Sequence, residues 1–316
     1  MTLLLAFCGA AALSGCATPV KYKADANLIG RNGTRRDDRT DFPYVARYRD
    51  GEKRLSYIAA RRRESETMAL LEKEFSSQRP QAVVIQGYPS SMGFSPKDFV
   101  APLEDLPKGE IIGTGDAMAL AAWLAIKAGI PFIGGEPKGA IIMEKLRKQG
   151  FTRDDVIGFR ILRRIPGWKE DRVNVGENDF TRVFDKGNVG ENEFARLLDY
   201  VYRTSPEWNF QDASSMLMSE RQFARWYAGR AKKDLHFDQI RPAEVAAGEG
   251  PASTFFNHIA AKFDAVRDEN AVETIAMCLN RFDRVLVVYA GGRYLGQKSA
   301  LEGMLGSPGE YFKDAP

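Results

Sequence analysis

Histidine and cysteine are scarce in this chain: two and three residues respectively out of 316. His236 and His258 are far apart, and the cysteines are Cys8, Cys16 and Cys278. So few thiols and imidazoles exclude a disulfide framework, a zinc finger and a histidine-rich metal centre. A Gly-x-Ser-x-Gly nucleophile elbow is also absent, which removes the usual signature of Ser-His-Asp hydrolysis on an α/β sheet. Charge of one sign is lacking too. The 45 basic and 42 acidic residues leave a formal charge of +3, with no basic-aromatic platform and no repeat array, so nothing invites a nucleic-acid partner. After residue 16 no apolar run reaches the ~20 residues that cross a bilayer.

What is present begins at the amino terminus. Met1 to Gly15 contain no charged side chain and are dominated by Leu, Ala and Phe. That is too short to span a membrane and reads as the apolar region of an export signal. Leu13-Ser14-Gly15-Cys16 resembles a lipobox, the site where a bacterial signal peptidase cuts before a lipidated cysteine. The resemblance implies a mature chain starting at Cys16, acylated on sulfur and amine. Several acyl chains give lasting attachment, because each buried methylene contributes ~0.8 kcal/mol. The expected organisation is a signal peptide over 1–15, a lipidated cysteine and polar tether over 16–40, and one domain over 41–316. The expected location is the bacterial cell envelope; Ala17 after the cysteine, by analogy with enteric bacteria, suits the outer membrane, facing the periplasm. The remaining thiol, Cys278, lies in the apolar run Ile275-Ala276-Met277-Cys278-Leu279 and reads as a buried, inert side chain rather than a nucleophile.

The body alternates strand and helix signals. Leu55 to Ala59, Ala82 to Ile85, Pro131 to Gly134 and Arg284 to Tyr289 are short apolar runs, the second and the last rich in β-branched residues. Strands buried on both faces have that composition. Between them come helical patterns: Met68, Leu71 and Phe75, the apolar stretch Ala117 to Ala128, Ile141 to Gln149, and the stripe Val272, Ile275, Ala276, Leu279. Such alternation predicts an α/β fold, with a central, mostly parallel sheet flanked by helices. The middle differs. Two near-identical pentads, Asn174 to Asn178 and Asn188 to Asn192, place Glu three residues after Asn, which is a helix-start pattern. Residues of about 151–255 are therefore expected to form a helical insertion over the sheet.

Ligands of open α/β sheets collect at the carboxyl ends of the strands. The ends here are Ala59-Ala60-Arg61-Arg62-Arg63-Glu64, Gln86-Gly87-Tyr88-Pro89, Gly134-Gly135-Glu136-Pro137 and Ala290-Gly291-Gly292-Arg293-Tyr294, with Gly109-Glu110 and Gly115-Asp116 before the buried helix. Taken in order over about residues 53–138 and 267–312, Val83 to Pro89, Gly134 to Pro137 and Val287 to Arg293 resemble the TraB/Tiki/ChaN-type superfamily, which includes erythromycin-esterase-like proteins. The resemblance implies two Gly-x-x-His motifs and a Glu after the second strand, serving as metal ligands and catalytic groups in the metalloprotease members. In this chain the two histidine positions fall on Arg62 and Arg293, and the Glu position on Gln86; Glu136 alone keeps the family's residue.

Guanidinium has five donors, no acceptor and a permanent charge, so it cannot replace an imidazole as a metal ligand. Two arginines and a glutamine turn a cation site toward anions, which an arginine fork grips through two bonds. The expectation is therefore a binding lipoprotein without metal or other cofactor. Its partners are membrane lipid through Cys16 and a small anionic ligand or an envelope protein. Arg62, Gln86, Arg293 and Tyr294 are the candidate ligand-binding residues. One alternative is a diverged peptidase or esterase with Glu136 and Asp116 as catalytic carboxylates. Another, by the same resemblance, is a haem-binding lipoprotein with Tyr57, Tyr88, Tyr289 or Tyr294 on iron. Against the binding role stands a plainer one, in which Arg62 pairs with Glu136 or Asp116 and simply fills a dead site.

Overall fold

The computed structural model describes residues 20–30, 42–61, 65–174, 193–203, 218–248 and 252–312. Cys16, Arg62 and most of both pentads, including their glutamates, lie outside them. Six strands form one sheet: β1 (Tyr44–Asp50), β2 (Lys53–Ala60), β3 (Ala82–Pro89), β4 (Phe132–Glu136), β5 (Arg284–Ala290) and β6 (Glu310–Phe312), in the order β4-β3-β5-β2-β1-β6. The four strands read from the sequence are the parallel ones. β1 pairs antiparallel with β2 across a tight hairpin at Gly51, and β6 closes the edge antiparallel to β1. The fold is α/β with a mostly parallel sheet, as the alternation of signals requires.

The period of two along each strand splits its side chains between two cores. On one face Ile58, Val83, Ile85, Leu286 and Val288 pack against α1 (Ser65–Gln78) and the alanine-rich α4 (Ala117–Lys127). On the other, Tyr57, Val84, Ile133, Val287 and Tyr289 meet α11 (Phe255–Arg281) and α12 (Gly291–Leu305). Two short helices, α2 (Lys97–Glu104) and α3 (Lys108–Gly113), lead into α4.

The chain then leaves the sheet. α5 (Gly139–Lys148) is followed by α6 (Arg153–Leu162), α7 (Ile165–Asn174), α8 (Glu193–Arg203), α9 (Glu220–Ala231) and the single turn α10 (Pro242–Val245). All described regular elements between α5 and α11 are helical. They enclose a third core around Phe159, Trp168, Phe223, Tyr227 and Phe256. The capping box of α6 anchors it: Asp155 accepts from Thr152, and its carboxylate also receives Trp226 and the guanidinium of Arg230. α11, ~40 Å long at 1.5 Å per residue, joins the two bodies. Phe256, Ile259 and Phe263 belong to the helical core, and Val272, Ile275 and Leu279 to the sheet.

The segment expected to be tether departs from that expectation over its described part. Residues 20–30 are packed on the domain, with Tyr22 buried. Asn280, near the end of α11, clasps Tyr22 by accepting its backbone N–H at 3.0 Å and donating to its carbonyl at 2.8 Å. The Tyr22 hydroxyl and Lys21 ammonium both reach Asp50 in the β1–β2 turn. Hydrogen bonding and ring burial fix this stretch, which its polar composition did not reveal. Cys278 is buried as expected, and loss of solvation pushes its thiol up to about 12.

Candidate functional site

The carboxyl edge of the sheet carries two separate polar assemblies. The first is an open cleft of about 410 Å³ between the ends of β2 and β3 and the start of α4, lined by Ala60, Arg61, Gln86, Gly87, Tyr88 and residues 114–118. Its shape follows from an irregularity in β3. Ile85 pairs with Gly134, but the next register point is Pro89 with Glu136, so β3 carries two extra residues there. Such a bulge re-aims side chains. Gly87 takes a φ of +100°, a conformation that suits glycine, and Gln86 and Tyr88 flank it on the cleft wall.

Gln86 is only 5% exposed. Its carbonyl oxygen accepts the backbone N–H of Ala290 at 2.9 Å, which orients the amide. The amide nitrogen is then left with no hydrogen-bond partner among the described residues, and the side chain lines the cavity. Opposite it, Asp116 caps α4 by accepting from the N–H groups of Met118 and Ala119, both through Oδ1. The Tyr88 ring rests edge-on against Phe99. Its hydroxyl proton is held more tightly than usual, first because the ring is buried and second because Asp116 is negative. Arg61 stands on the same wall; its backbone is bound on both sides by the Thr67 hydroxyl.

The second assembly is closed. Glu136, 1% exposed at the end of β4, is held by Arg267 of α11 through two parallel bonds, Nε to Oε2 at 2.7 Å and Nη2 to Oε1 at 2.9 Å. Arg293 lies in the first turn of α12 rather than in a loop. It is 8% exposed and faces two carboxylates of α11, Asp264 at 3.0 Å and Asp268 at 3.2 Å. Its Nη2 also donates to the Asp264 carbonyl. Asp268 further accepts from Gln297, which in turn accepts from Tyr57. Burial pushes the Asp268 carboxyl up to about 6, against the pull of Arg293 and the bond from Gln297. Arg163, between α6 and α7, approaches Asp264 at 3.7 Å, so the network ties the helical core to the sheet.

Close backbone approaches make this packing possible. A Cβ on Gly134 would collide with the Tyr88 carbonyl, and one on Gly135 with the Tyr289 hydroxyl. A Cβ on Gly296 would strike the Asp268 carboxylate, so α11 and α12 can approach only through glycine there. The Gly-Gly before Glu136 is thus explained by steric contact, independent of any catalytic role.

The sequence-derived candidates therefore separate. Gln86 and Asp116 share the open cleft. Glu136 and Arg293 belong to the closed network. Tyr294 is core: its ring is fully buried against Tyr44 and Tyr57, and its hydroxyl shares a hydrogen bond with that of Tyr48. Its neighbour Arg293 therefore cannot bring it to a ligand. Tyr57 and Tyr289 are equally enclosed, and burial raises both phenols well above their ordinary range. Arg62 lies outside the described residues. Reasoning from sequence missed Arg267, Asp264 and Asp268. Their signal was available: 264, 267, 268, 271, 272 and 275 follow helical spacing, so three charges occupy the stripe that should be apolar.

A metal of the kind implied by the superfamily resemblance does not fit these residues. Both oxygens of Glu136 are engaged by Arg267, and a guanidinium stands at position 293 among carboxylates it neutralises. No family model, curated protein or solved structure matches this chain.

Proposed function

We propose that the chain is a lipid-anchored envelope protein that binds a small acidic ligand in the Arg61–Gln86–Asp116 cleft, without metal-dependent chemistry. The observation that carries this reading is the Gln86 amide. It is a donor on a side chain only 5% exposed, oriented by Ala290, that faces a cavity of ligand size and has no hydrogen-bond partner among the described residues. A donor held in place and open to the cleft is available to a ligand, and a carboxylate or carbonyl oxygen would accept from it. Arg61 on the same wall, followed in the chain by Arg62 and Arg63, favours an anion. Asp116, whose two hydrogen bonds use one oxygen, favours a ligand that also offers an N–H or O–H donor. An acidic amino acid or short acidic peptide combines both features. The resemblance to the TraB/Tiki/ChaN type supports the placement of the cleft, and the lipobox-like Cys16 supports the anchor.

The hydrolase alternative finds less support. Glu136 is held in a two-bond ion pair, and Asp116 spends one oxygen capping α4, which leaves the other to a ligand donor. Calorimetric titration of the full chain with alanyl-glutamate, glutarate and inorganic phosphate tests the binding reading. At least one of the acidic organic probes should bind, and Arg61→Ala and Gln86→Leu should each weaken it about tenfold or more, whereas Arg293→Lys should not. Binding that is indifferent to both cleft substitutions would reject the site.

A further inference from the structure

From the clasp on Tyr22 we infer that the protein stands on its membrane with the amino-terminal ends of the parallel strands facing the lipid and the ligand cleft pointing away. The inference rests on the acylated Cys16 of the proposed function. It follows from where the chain becomes fixed. Among the described residues, Lys21 is the first that hydrogen-bonds to the domain, donating its backbone N–H to Asn280 at 3.1 Å and its ammonium to Asp50. Tyr22 follows, its ring buried and both its backbone polar groups bound by Asn280. Only four residues separate Cys16 from Lys21, so the five steps between them reach at most ~18 Å even when extended. The lipid attachment point therefore stays beside this corner of the domain.

The corner has a defined position in the fold. Asp50 ends β1 in the turn that leads to Lys53, the first residue of β2, and Asn280 precedes Arg284, the first residue of β5. Arg54 pairs with Arg284 in the parallel ladder. Tyr22 is thus fixed at the base of the sheet, whereas Ala60, Gln86 and Asp116 lie at the opposite edge. The seven steps from Lys53 to Ala60 put the two levels ~23 Å apart.

The base also has the charge that an anionic lipid surface attracts. The segments 49–54, 79–81 and 281–284 meet there: Arg54 N–H donates to the Asp283 carbonyl, and the Arg284 guanidinium to the Arg79 carbonyl. Together they hold six basic residues and three acidic ones. Asp50 is bound by Lys21 and Asp283 by Lys53, which leaves Arg49, Arg54, Arg79, Arg281 and Arg284 facing Glu52 as the uneven remainder. A surface potential fades over about 8–10 Å at physiological salt; the short leash lets the base enter that layer. In this orientation the cleft stands clear of the headgroups and opens to soluble ligands.

The test uses the full-length acylated protein in vesicles that carry a headgroup-located fluorescence quencher. Single labels are placed through Glu52→Cys at the base and Gly113→Cys beside the cleft, while the native Cys278 stays buried. On vesicles containing phosphatidylglycerol the label at 52 should be quenched at least threefold more than the label at 113. The contrast should shrink on purely zwitterionic vesicles and at high salt. Equal quenching, or stronger quenching at 113, would overturn the orientation; a contrast unmoved by lipid charge and salt would overturn the electrostatic contact. Mass spectrometry of the cell-made protein separates the two readings. An unmodified Cys16 refutes the native anchor, and the same label pair on protein coupled through Cys16 to a maleimide lipid still decides the orientation.

Discussion

Breaking the Glu136–Arg267 pair should be costly from either side and nearly harmless from both. Glu136 is 1% exposed and its partner's side chain 15% exposed, with two short parallel bonds between them. Truncating one member of a buried pair strands the other charge, at a typical cost of about 3–5 kcal/mol. Arg267→Met leaves the more deeply buried carboxylate beside the Tyr289 ring, so about 3–5 kcal/mol is expected. Glu136→Gln leaves a guanidinium with some solvent and with Asp268 nearby to share its charge, so about 2–3 kcal/mol is expected by the same rule discounted for exposure. The combined Glu136→Gln/Arg267→Met protein should return to within ~1 kcal/mol of the parent, because two neutral side chains of similar volume need no solvation. Urea unfolding at pH 7, followed by circular dichroism and tryptophan fluorescence, gives the cycle and its coupling energy. If the two single losses simply add in the double variant, the pair is not a unit, and the view of Glu136 as a neutralised structural carboxylate is wrong.

Two further expectations follow from the same closed network. Asp268 holds its proton up to about pH 6 in the folded protein, against an ordinary 3.8, because it is buried. Its contribution to stability is present below about pH 4 and is lost as pH rises through 6, by at most roughly 3 kcal/mol; Asp268→Asn should therefore gain on the parent as pH rises from 4 to 7, and a difference in unfolding free energy that stays flat over that range would contradict it. Gly135→Ala should cost about 1–3 kcal/mol by overpacking against the Tyr289 hydroxyl, with part of the loss recovered in Gly135→Ala/Tyr289→Phe, where the ring carbon remains close. Tyr289→Phe alone should be neutral or slightly stabilising in thermal melts, since that hydroxyl has no hydrogen-bond partner among the described residues.

Much of the fold was legible because burial on both faces leaves unmistakable strands. Val83 to Ile85 and Val285 to Val288 are apolar without alternation, and the four runs of this kind became the four parallel strands. β1 was not legible. Arg47 sits in its middle and looks like a surface residue, yet it is paired with the buried Glu74 of α1 at 2.7 Å. Nor was α12, whose opening Gly291-Gly292 reads as a loop. Gly291 is required instead because a side chain there would meet the Phe42 ring. For the site, sequence order correctly brought Gln86 and Asp116 to one edge. It could not tell which polar groups would be consumed by neighbours, because Arg267 and Asp264 arrive from a helix more than a hundred residues after Glu136. Distant partners decide whether a charged residue is chemistry or packing.

The most direct measurement on the cleft is the side-chain amide of Gln86, followed by ¹⁵N NMR while the full chain is titrated with alanyl-glutamate and glutarate. Occupation of the free donor should move that resonance saturably, with the Arg293 guanidinium signal unchanged. A saturable response at Arg293 with a silent Gln86 amide, or no response at Gln86 to either probe, would contradict the division into an open binding cleft and a closed ionic core.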